Sequence, residues 1–302
     1  MLHTVAKMHY VGELSQIQIA RQLGLSTATI SRLLQRARAE GIVRIEVREV
    51  FAPDELGAEL ARKLGLTRVE VVDAPASGTL QALAAPLSRM LAAADLGAGN
   101  VLMIGWGRTV SAVIETGLPP MPGVQVVPST GGMQQHARHF QSNEFSRRAA
   151  EATGGVPHFI HAPYLPDADV LDLFLADSSV QASVGLWDRI DAAVVGIGQP
   201  HGLDGASGEP RTRPDPDLAG SVGDVVRHYF DRDGQILPWR GEGRMIAVSA
   251  RQLRAAGLVI GVAVGEQKVP SILGAARARL VSALVTDSRT AGLLLDALGG
   301  AG

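Results

Sequence analysis

Residues 23–37 read LGLSTATISRLLQRA, and this stretch predicts a tight turn that leads into a helix. Gly24 supplies the turn, and Ser26 can cap the helix with its hydroxyl oxygen. Four apolar residues of the helix recur at spacings i, i+3, i+4 and i+7, which places them in one stripe. They are Ile30, Leu33, Leu34 and Ala37. The opposite face carries hydroxyl groups and arginines but no acid, so the stripe faces a protein core and the other face is left for a different partner.

The flanking residues complete a recognisable pattern. Apolar residues between positions 17 and 23 predict a first short helix that begins near Ser15, whose hydroxyl can cap it. Gly41 is expected to end the second helix as a left-handed cap. Residues 42–47 then alternate apolar and charged side chains, which predicts a short strand. Two short helices joined by a three-residue turn with glycine form the helix-turn-helix pattern.

The second helix has the features that DNA recognition requires. Small polar side chains at its N-terminal end can approach base edges in the major groove, while arginines reach phosphates. The candidate DNA-binding residues are Gln16, Ser26, Thr27, Ala28, Thr29, Ser31, Arg32, Gln35 and Arg36. The alternative is an ordinary amphipathic hairpin with a solvated basic face. We favour operator DNA as the partner, because an acid-free face beside a hydroxyl-rich cap is unusual for solubility alone.

The charge of the chain is divided unevenly along its length. The formal net charge is −2, which taken alone argues against a nucleic-acid partner. Residues 1–50, however, hold seven lysines or arginines and four acids, a net charge of +3, so the remainder carries −5. A basic head on an acidic body is the asymmetry expected when only the head meets phosphates.

Composition excludes several other classes of protein. The 302-residue chain has no cysteine, which excludes disulfides and thiolate metal sites. No apolar run approaches the roughly 20 residues of a membrane span. The first residues also lack the apolar core of a signal peptide. We therefore expect a cytoplasmic protein with no membrane partner.

Residues 54–302 alternate apolar runs with helical patterns. The expected strands are 69–72, 101–104, 124–127, 158–161, 192–196, 259–264 and 283–285. The expected helices include 80–94, 143–152 and 272–280. Continuous apolar runs mean that both sheet faces are covered, which predicts an α/β domain with a largely parallel sheet. The predicted architecture is thus a small helix-turn-helix domain, residues 1–50, and a large α/β domain, residues 54–302, with a surface loop or lid at 199–218.

Three expected strands run into joints that suit an anionic ligand. Open α/β sheets bind ligands at the carboxyl ends of their strands, where helix N-termini offer amides to anions. The joints are 105–109, 128–132 and 265–268, and they contain glycines, an arginine and a lysine. Such groups suit a phosphate or a polyhydroxylated carboxylate. None of the joints is a nucleotide-binding fingerprint, and each alone is also compatible with a plain strand-to-helix turn.

Residues 14–45, LSQIQIARQLGLSTATISRLLQRARAEGIVRI, resemble the helix-turn-helix of the SorC-type sugar-responsive bacterial transcriptional regulators. In the body, the segments that resemble the effector domain of that family are GWGRT (105–109), the pair Asn143-Glu144, DAAVVGIG (191–198), SVGDVVRHYFDRDGQ (221–235) and VGEQK (264–268). The resemblance covers nearly the whole chain. It implies an effector domain similar in fold to sugar-phosphate isomerases and glucosamine-phosphate deaminases, a sugar or sugar-phosphate effector, and a homo-oligomer, either dimer or tetramer.

The resemblance also implies which residues contact the effector. Phosphate-cradling positions fall on Gly105, Gly107, Arg108, Thr109 and Lys268, and Asp224 contacts ligand hydroxyls. With the remaining joint and motif positions, the candidate effector-binding residues are Gly105, Trp106, Gly107, Arg108, Thr109, Gly131, Gly132, Asn143, Glu144, Asp224 and Lys268. Many relatives have two glycines before the lysine, whereas this chain has VGEQK. The predicted function is a regulator of a carbohydrate-catabolism operon whose operator affinity the effector controls.

An enzyme is the alternative reading of the large domain. A sugar-phosphate isomerase or deaminase with an accessory head would need an acid/base carboxylate beside the anion cradle, and Asp224, Glu144 and Glu266 are available. We nevertheless expect no catalytic residues, because no nucleophile–base set is visible and an enzyme does not need a DNA-reading head. A purely architectural DNA-binding protein would leave the large α/β domain unexplained.

Two histidine pairs raise the question of a metal. His136 and His139 are three residues apart, as are His158 and His161. On a strand, the second pair would point to opposite faces and could not share a metal ion. We expect no metal site and no cofactor.

Overall fold

The computed structural model describes residues 1–12, 14–43, 53–74, 78–133, 141–199 and 216–299. The chain divides into two compact units, Met1–Val50 and Phe51–Gly302. Most of the predicted strand at 42–47 and most of the predicted loop at 199–218 lie outside the described residues. Within the described ranges, no helix is both long enough and apolar enough to cross a membrane.

The first unit contains three helices, α1 (Leu2–Tyr10), α2 (Gln16–Leu23) and α3 (Thr27–Ala39). The Ser15 hydroxyl accepts a hydrogen bond from the Gln18 amide at 3.3 Å and caps α2. Gly24 has a φ of +65°, a conformation that favours glycine, and it ends α2. The Ser26 hydroxyl accepts from the Thr29 amide at 3.1 Å and caps α3. The predicted helix-turn-helix is therefore confirmed, with both of its caps.

Helix α1 was not predicted from the sequence. It packs against the other two helices and supplies Val5 to a small core with Ile19, Ala20, Ile30 and Leu34. The need for α1 is physical, because two short helices alone leave much of their apolar surface exposed to water.

The second unit is built on parallel strands. The described residues form β1 (Arg68–Val72), β2 (Val101–Ile104), β3 (Gln125–Pro128), β4 (Val156–Pro157), β5 (Ala192–Gly196), β6 (Gly223–Val225), β7 (His228–Phe230), β8 (Ile236–Leu237), β9 (Leu258–Val262) and β10 (Ala283–Asp287). Seven of them make one sheet in the order β1-β10-β9-β5-β2-β3-β4, and every pairing in it is parallel. The α/β prediction is thereby confirmed.

Helices cover both faces of this sheet. They are α4 (Pro53–Leu64), α5 (Thr79–Ala82), α6 (Ala84–Ala93), α7 (Arg108–Thr116), α8 (Ser142–Thr153), α9 (Leu171–Ala176), α10 (Ser178–Val184), α11 (Ala250–Ala255), α12 (Val269–Arg277) and α13 (Ser288–Gly299). In β2, Val101 and Met103 enter one core cluster, whereas Leu102 and Ile104 enter the other. Successive strand residues point to opposite faces, so a strand between two helical layers must be apolar throughout.

The predicted strand at 158–161 is wrong, because the strand lies earlier, at β4. The His158 amide makes the last ladder bond, to the Val126 oxygen at 2.7 Å. Beyond it, the Asn143 side chain takes both backbone groups of Ile160, which a continuing strand would need for pairing. Apolar composition alone does not show where such a side chain ends a ladder.

Three other element predictions need adjustment. The helix expected at 272–280 is α12, which starts earlier and ends before Arg279, whose φ of +56° is not helical. The helix expected at 80–94 is divided at Leu83 into α5 and α6. The second sheet, in which β6, β7 and β8 pair antiparallel, was not predicted from the sequence.

Candidate functional site

The main sheet has a topological switch point between β2 and β5. From β2 the chain continues to β3 and β4 on one side, whereas from β5 it continues to β9 and β10 on the other. Open α/β sheets bind ligands in the crevice outside the carboxyl ends of such a strand pair. The Gly105 amide donates to the Val194 oxygen at 2.8 Å and ties the turn after β2 to β5. A Cβ on Gly105 would lie 3.0 Å from that oxygen, so this close approach favours glycine.

The turn after β2 places the N-terminus of α7 at the carboxyl end of that strand. Gly107 has a φ of +120° and occupies the N-cap position of α7. Arg108 is the exposed first residue of that helix, and Thr109 and Trp106 are half-buried. The five predicted effector residues at 105–109 therefore all lie at the switch point.

The turn after β9 brings Lys268 to the same place. A short 3₁₀ turn, Glu266–Lys268, precedes α12. The Lys268 ammonium donates to the oxygen of Ile197, one residue beyond β5, at 2.7 Å. Lys268 and Gly105 are thus both bonded to residues 194–197 of the chain, and the cation predicted for this site lies at the crevice.

Asp224 reaches the same segment from the second sheet. The Gly198 amide donates to the Asp224 backbone oxygen at 2.8 Å. A Cβ on Gly198 would lie only 1.9 Å from Asp224 Oδ1, so the carboxylate lies directly against the backbone of Gly198. The other carboxylate oxygen, Oδ2, accepts the Arg227 amide at 2.9 Å. Three separate parts of the predicted effector set therefore converge on residues 194–198.

The turn after β3 is held mainly by bonds inside the protein. The Gly131 amide donates to the Ile246 oxygen at 2.9 Å, and the Gly132 amide donates to the Ala162 oxygen at 2.8 Å. A Cβ on Gly131 would approach the Ala162 oxygen to 2.5 Å. Gly131 thus permits close packing of the turn, and the amide hydrogens of both glycines are already used.

Asn143 and Glu144 lie in the first turn of α8 and have partners within the domain. The Asn143 amide nitrogen donates to the Ile160 oxygen at 3.1 Å, and its oxygen accepts the Ile160 amide at 3.0 Å. Hydrogen bonds from Arg147 and Arg148 lower the pKa of Glu144 to about 2. Asn143 therefore anchors the segment after β4, and Glu144 is held as a carboxylate by two arginines.

Arg227 is a buried cation that the sequence analysis missed. Only 8% of its surface is exposed, and its guanidinium carbon lies 5.1 Å from the centre of a Trp106 ring. Burial works to lower the pKa of Arg227, but the neighbouring Tyr229, Asp224 and Tyr164 outweigh it, so the net shift is upward. The sequence around Arg227 does not indicate that this residue is buried, because only the tertiary fold places its side chain against Trp106.

In the first unit, the apolar stripe of α3 is buried at Ile30, Leu34 and Ala37, with Leu33 half-buried. The opposite face contains the predicted DNA-binding residues. Those exposed to solvent are Ser26, Thr27, Ala28, Arg32, Gln35 and Arg36, and those half-buried are Gln16, Thr29 and Ser31. The Arg36 guanidinium donates to Glu40 at 2.6 Å, an exposed ion pair on the same helix. The basic face is thus available to an external partner.

Of the two histidine pairs considered as metal ligands, only His158 and His161 lie in the ranges described. His136 and His139 lie outside those ranges. A ring nitrogen of His158 is hydrogen-bonded to the Gln125 side chain at 2.8 Å, and burial lowers the pKa of His158. Among the described residues, no three histidines, aspartates or glutamates are grouped to hold a metal ion.

A helix-turn-helix unit on the same chain as an α/β domain with a switch-point crevice defines a ligand-responsive DNA-binding regulator. Comparisons with known proteins give the same class. Residues 48–296 match the family described as "Putative sugar-binding domain", and residues 7–40 match sigma-70, region 4.

Several relatives match over almost their entire length. The sorbitol operon regulator of Klebsiella pneumoniae is 30% identical over 304 residues, with 96% of each chain covered. The deoxyribonucleoside regulator of Bacillus subtilis is 30% identical over 302 residues, covering 97% of this chain and 96% of that one. The crystal structure of the full-length sorbitol operon regulator SorC superposes with a TM-score of 0.74 at 29% identity and covers 97% of both chains.

The chain belongs to the SorC-type family of transcriptional regulators with a sugar-binding domain. These relatives are regulators rather than enzymes, which supports the regulator reading over the isomerase or deaminase alternative.

Proposed function

We propose that the chain controls a carbohydrate-catabolism operon by binding its operator with α3 and a sugar or sugar phosphate at the switch-point crevice. The observation that carries the proposal is the convergence of Gly105, Lys268 and Asp224 on residues 194–198, in a chain whose other unit is a helix-turn-helix. The effector would bind two arrangements of the regulator unequally. A coupling of about 1–3 kcal/mol changes operator affinity by roughly 5-fold to 150-fold.

On the DNA side, the N-terminal end of α3 enters the major groove in this proposal. The exposed hydroxyl side chains there approach base edges, and the longer basic side chains reach bases or phosphates. The proposed contacts are Gln16, Ser26, Thr27, Ala28, Thr29, Ser31, Arg32, Gln35 and Arg36. The exposed face of α3 and the burial of its apolar stripe support this assignment.

On the effector side, the cradle would comprise the turn after β2 and Lys268, with Asp224 accepting hydrogen bonds from sugar hydroxyls. The proposed contacts are Gly105, Trp106, Gly107, Arg108, Thr109, Gly131, Gly132, Asn143, Glu144, Asp224 and Lys268. Polyols and sugars are the first candidates, because one relative is named for a sorbitol operon and another, from Brucella abortus, for erythritol catabolism. The convergence of this cradle supports a compact ligand with an anionic group.

The assembly and location of the protein follow from the same proposal. One head contacts too little DNA for strong specificity, so we infer a homo-oligomer, a dimer or tetramer, with half-sites one or more helical turns apart. We also infer a boundary between a head of residues 1–50 and an effector domain of residues 54–302. The proposed role places the protein in the cytoplasm, with DNA.

The test uses fluorescence anisotropy of the full chain on DNA from upstream of its own gene cluster, with and without a panel of polyols, sugars and their phosphates. We expect tight binding that one panel member shifts. Arg32→Ala should weaken DNA binding at least about tenfold, as a lost base or phosphate contact does, and leave effector binding intact. Lys268→Ala should bind DNA normally and not respond to the effector.

Two exposed or half-exposed cations of α4 provide matched controls. Arg62→Ala and Lys63→Ala each remove one positive charge at a residue that is not among the proposed DNA or effector contacts, and we expect neither to change DNA binding or effector response. If Arg32→Ala and Lys268→Ala impaired both activities equally, the division into two functional units would be wrong. Turnover of a sugar phosphate without specific DNA binding would instead favour an enzyme.

A further inference from the structure

Arg227 holds a charge in the protein interior with few partners. Its Nη1 donates to the Tyr229 hydroxyl at 3.0 Å. Its Nε is buried and has no hydrogen-bond partner within the described part of the chain. Nor does its guanidinium form an ion pair with any acidic residue described there. A buried cation is normally neutralised by a carboxylate, so this group has capacity left for another partner.

The backbone holds this side chain in an uncommon conformation. Residues 226 and 227 form the two-residue connection between β6 and β7, and Val226 and Arg227 have φ values of +51° and +64°. Type I′ turns need positive φ at both positions and strongly prefer Asn-Gly there. A β-branched valine and an arginine are both disfavoured in this conformation. Such outliers concentrate at ligand sites, where a fixed side chain offsets the strain.

The guanidinium lies beside residues of the proposed effector site. The ring beneath it belongs to Trp106, which lies between Gly105, bonded to β5, and Gly107, the N-cap of α7. The Arg227 amide also binds the carboxylate of Asp224, which rests on Gly198. Arg227 therefore has two contacts with residues of the proposed effector site: its guanidinium lies over the Trp106 ring, and its backbone amide binds the Asp224 carboxylate.

We propose that Arg227 is a specificity-determining residue of the effector site, whose guanidinium, stacked on Trp106, binds an oxyanion of the effector. The inference rests on the proposed function, because it takes the crevice to be the effector site. An oxyanion accepting hydrogen bonds from Nε and the second Nη would satisfy the planar fork of the guanidinium, which suits phosphate and carboxylate groups alike. Stacking on Trp106 fixes the plane of that fork before the ligand arrives.

The test compares charged and neutral forms of the same ligand. Isothermal titration of the full chain uses sorbitol, erythritol and deoxyribose, their phosphates, and the sugar acid gluconate to separate phosphate from carboxylate recognition. Arg227→Gly removes the cation at a φ that glycine prefers, and Arg227→Gln keeps a hydrogen-bonding side chain without the charge. Arg279→Gly is the matched control, because Arg279 also has a positive φ but lies exposed between α12 and β10, at the opposite edge of the sheet.

We expect one anionic ligand to bind the unsubstituted protein, and both Arg227 variants to bind it at least about tenfold more weakly, as loss of charge-assisted hydrogen bonds requires. The affinity for the corresponding neutral sugar should change by less than about threefold, which is the effect expected when a hydrogen bond between uncharged groups is lost. Arg279→Gly should behave as the unsubstituted protein. Thermal unfolding of each variant shows that it is folded.

Three results would overturn the inference. One is equal binding of the anionic ligand to the Arg227 variants and to the unsubstituted protein. Another is that no anionic ligand of the panel binds. The third is a neutral sugar that binds as tightly as its phosphate. If that sugar still shifts operator affinity, the proposed function stands and only the proposed role of Arg227 is wrong.

Discussion

The substitution Gly198→Ala tests the contact on which the effector crevice depends. A Cβ at this position would lie 1.9 Å from Asp224 Oδ1, whereas ordinary contact begins near 3.4 Å, so the carboxylate must move by about 1.5 Å. That movement strains the bond from the Arg227 amide to Oδ2, now 2.9 Å. Overpacking costs about 1–3 kcal/mol, and a hydrogen bond to a charged group contributes about 1.5–3 kcal/mol. We expect the free energy of unfolding to fall by about 2–3 kcal/mol.

Thermal unfolding followed by circular dichroism measures this loss. A domain of this size loses about 2–4 °C of Tm per kcal/mol, so Gly198→Ala should lower Tm by about 4–12 °C. Gly185→Ala is the control, because Gly185 has a φ of −62° and no atom within 4 Å of the added Cβ. That variant should be neutral, or more stable by about 0.4–1 kcal/mol.

A double-mutant cycle isolates the contact. Once Asp224→Ala has removed the carboxylate, adding Gly198→Ala should cost less than about 0.5 kcal/mol, because the clash no longer exists. The reasoning would be refuted by an equal cost in both backgrounds, or by a Gly198→Ala variant as stable as Gly185→Ala.

Three further substitutions test local features. Ser26→Ala removes the cap of α3 and should lower the free energy of unfolding by about 1 kcal/mol, as measured by thermal unfolding. Ser26→Thr keeps a hydroxyl and should retain most of that stability, so equal losses in the two variants would contradict the cap. Asn143→Ala removes the hydrogen-bond partner of both backbone groups of Ile160 and should lower the free energy of unfolding, measured with urea, by about 1–3 kcal/mol. An unchanged urea midpoint would contradict a stabilising role for these two hydrogen bonds. The pKa of Glu144 is lowered from 4.5 to about 2, so its ionised form stabilises the fold above about pH 4.5, and that contribution is lost as the pH falls toward 2. Because Glu144 is partly exposed, Glu144→Gln should lower the free energy of unfolding by only about 0.5–1 kcal/mol at pH 7. It should also reduce the loss of stability between pH 4.5 and 2, and an unchanged loss would contradict the lowered pKa of Glu144.

Much of the architecture could be predicted from local sequence, because the signals involved are local. The hydroxyl caps at Ser15 and Ser26 and the left-handed Gly24 act on backbone groups a few residues away. Continuous apolar runs identify the central strands because both faces of each strand are buried. The extent of β4 could not be predicted in this way, since it depends on the Asn143 side chain from α8 competing for the backbone of Ile160.

The effector crevice could be predicted only in outline. Glycine joints and a lysine after separate strands indicate one edge of a parallel sheet, and the structure bonds Gly105 and Lys268 to the same segment, residues 194–197. Asp224 was identified through the family resemblance, but the second sheet that carries it could not be predicted, because its short strands carry no periodic signal. The position of Arg227 depends on a turn whose residues oppose the local preference for Asn-Gly, so local reasoning leads away from it.

Glu144, Asp224 and Glu266 are the carboxylates that acid/base catalysis would have to use, and the structure shows how each is held. A general acid or base works best with a pKa near the operating pH, whereas two arginines hold the pKa of Glu144 near 2. Asp224 is buried, and its carboxylate accepts a hydrogen bond from the backbone amide of Arg227. Glu266 is largely exposed, and its carboxylate lies 3.7 Å from the guanidinium of Arg289. Function follows from such groups rather than from the fold, so this set of carboxylates favours the proposed ligand-binding role over acid/base catalysis.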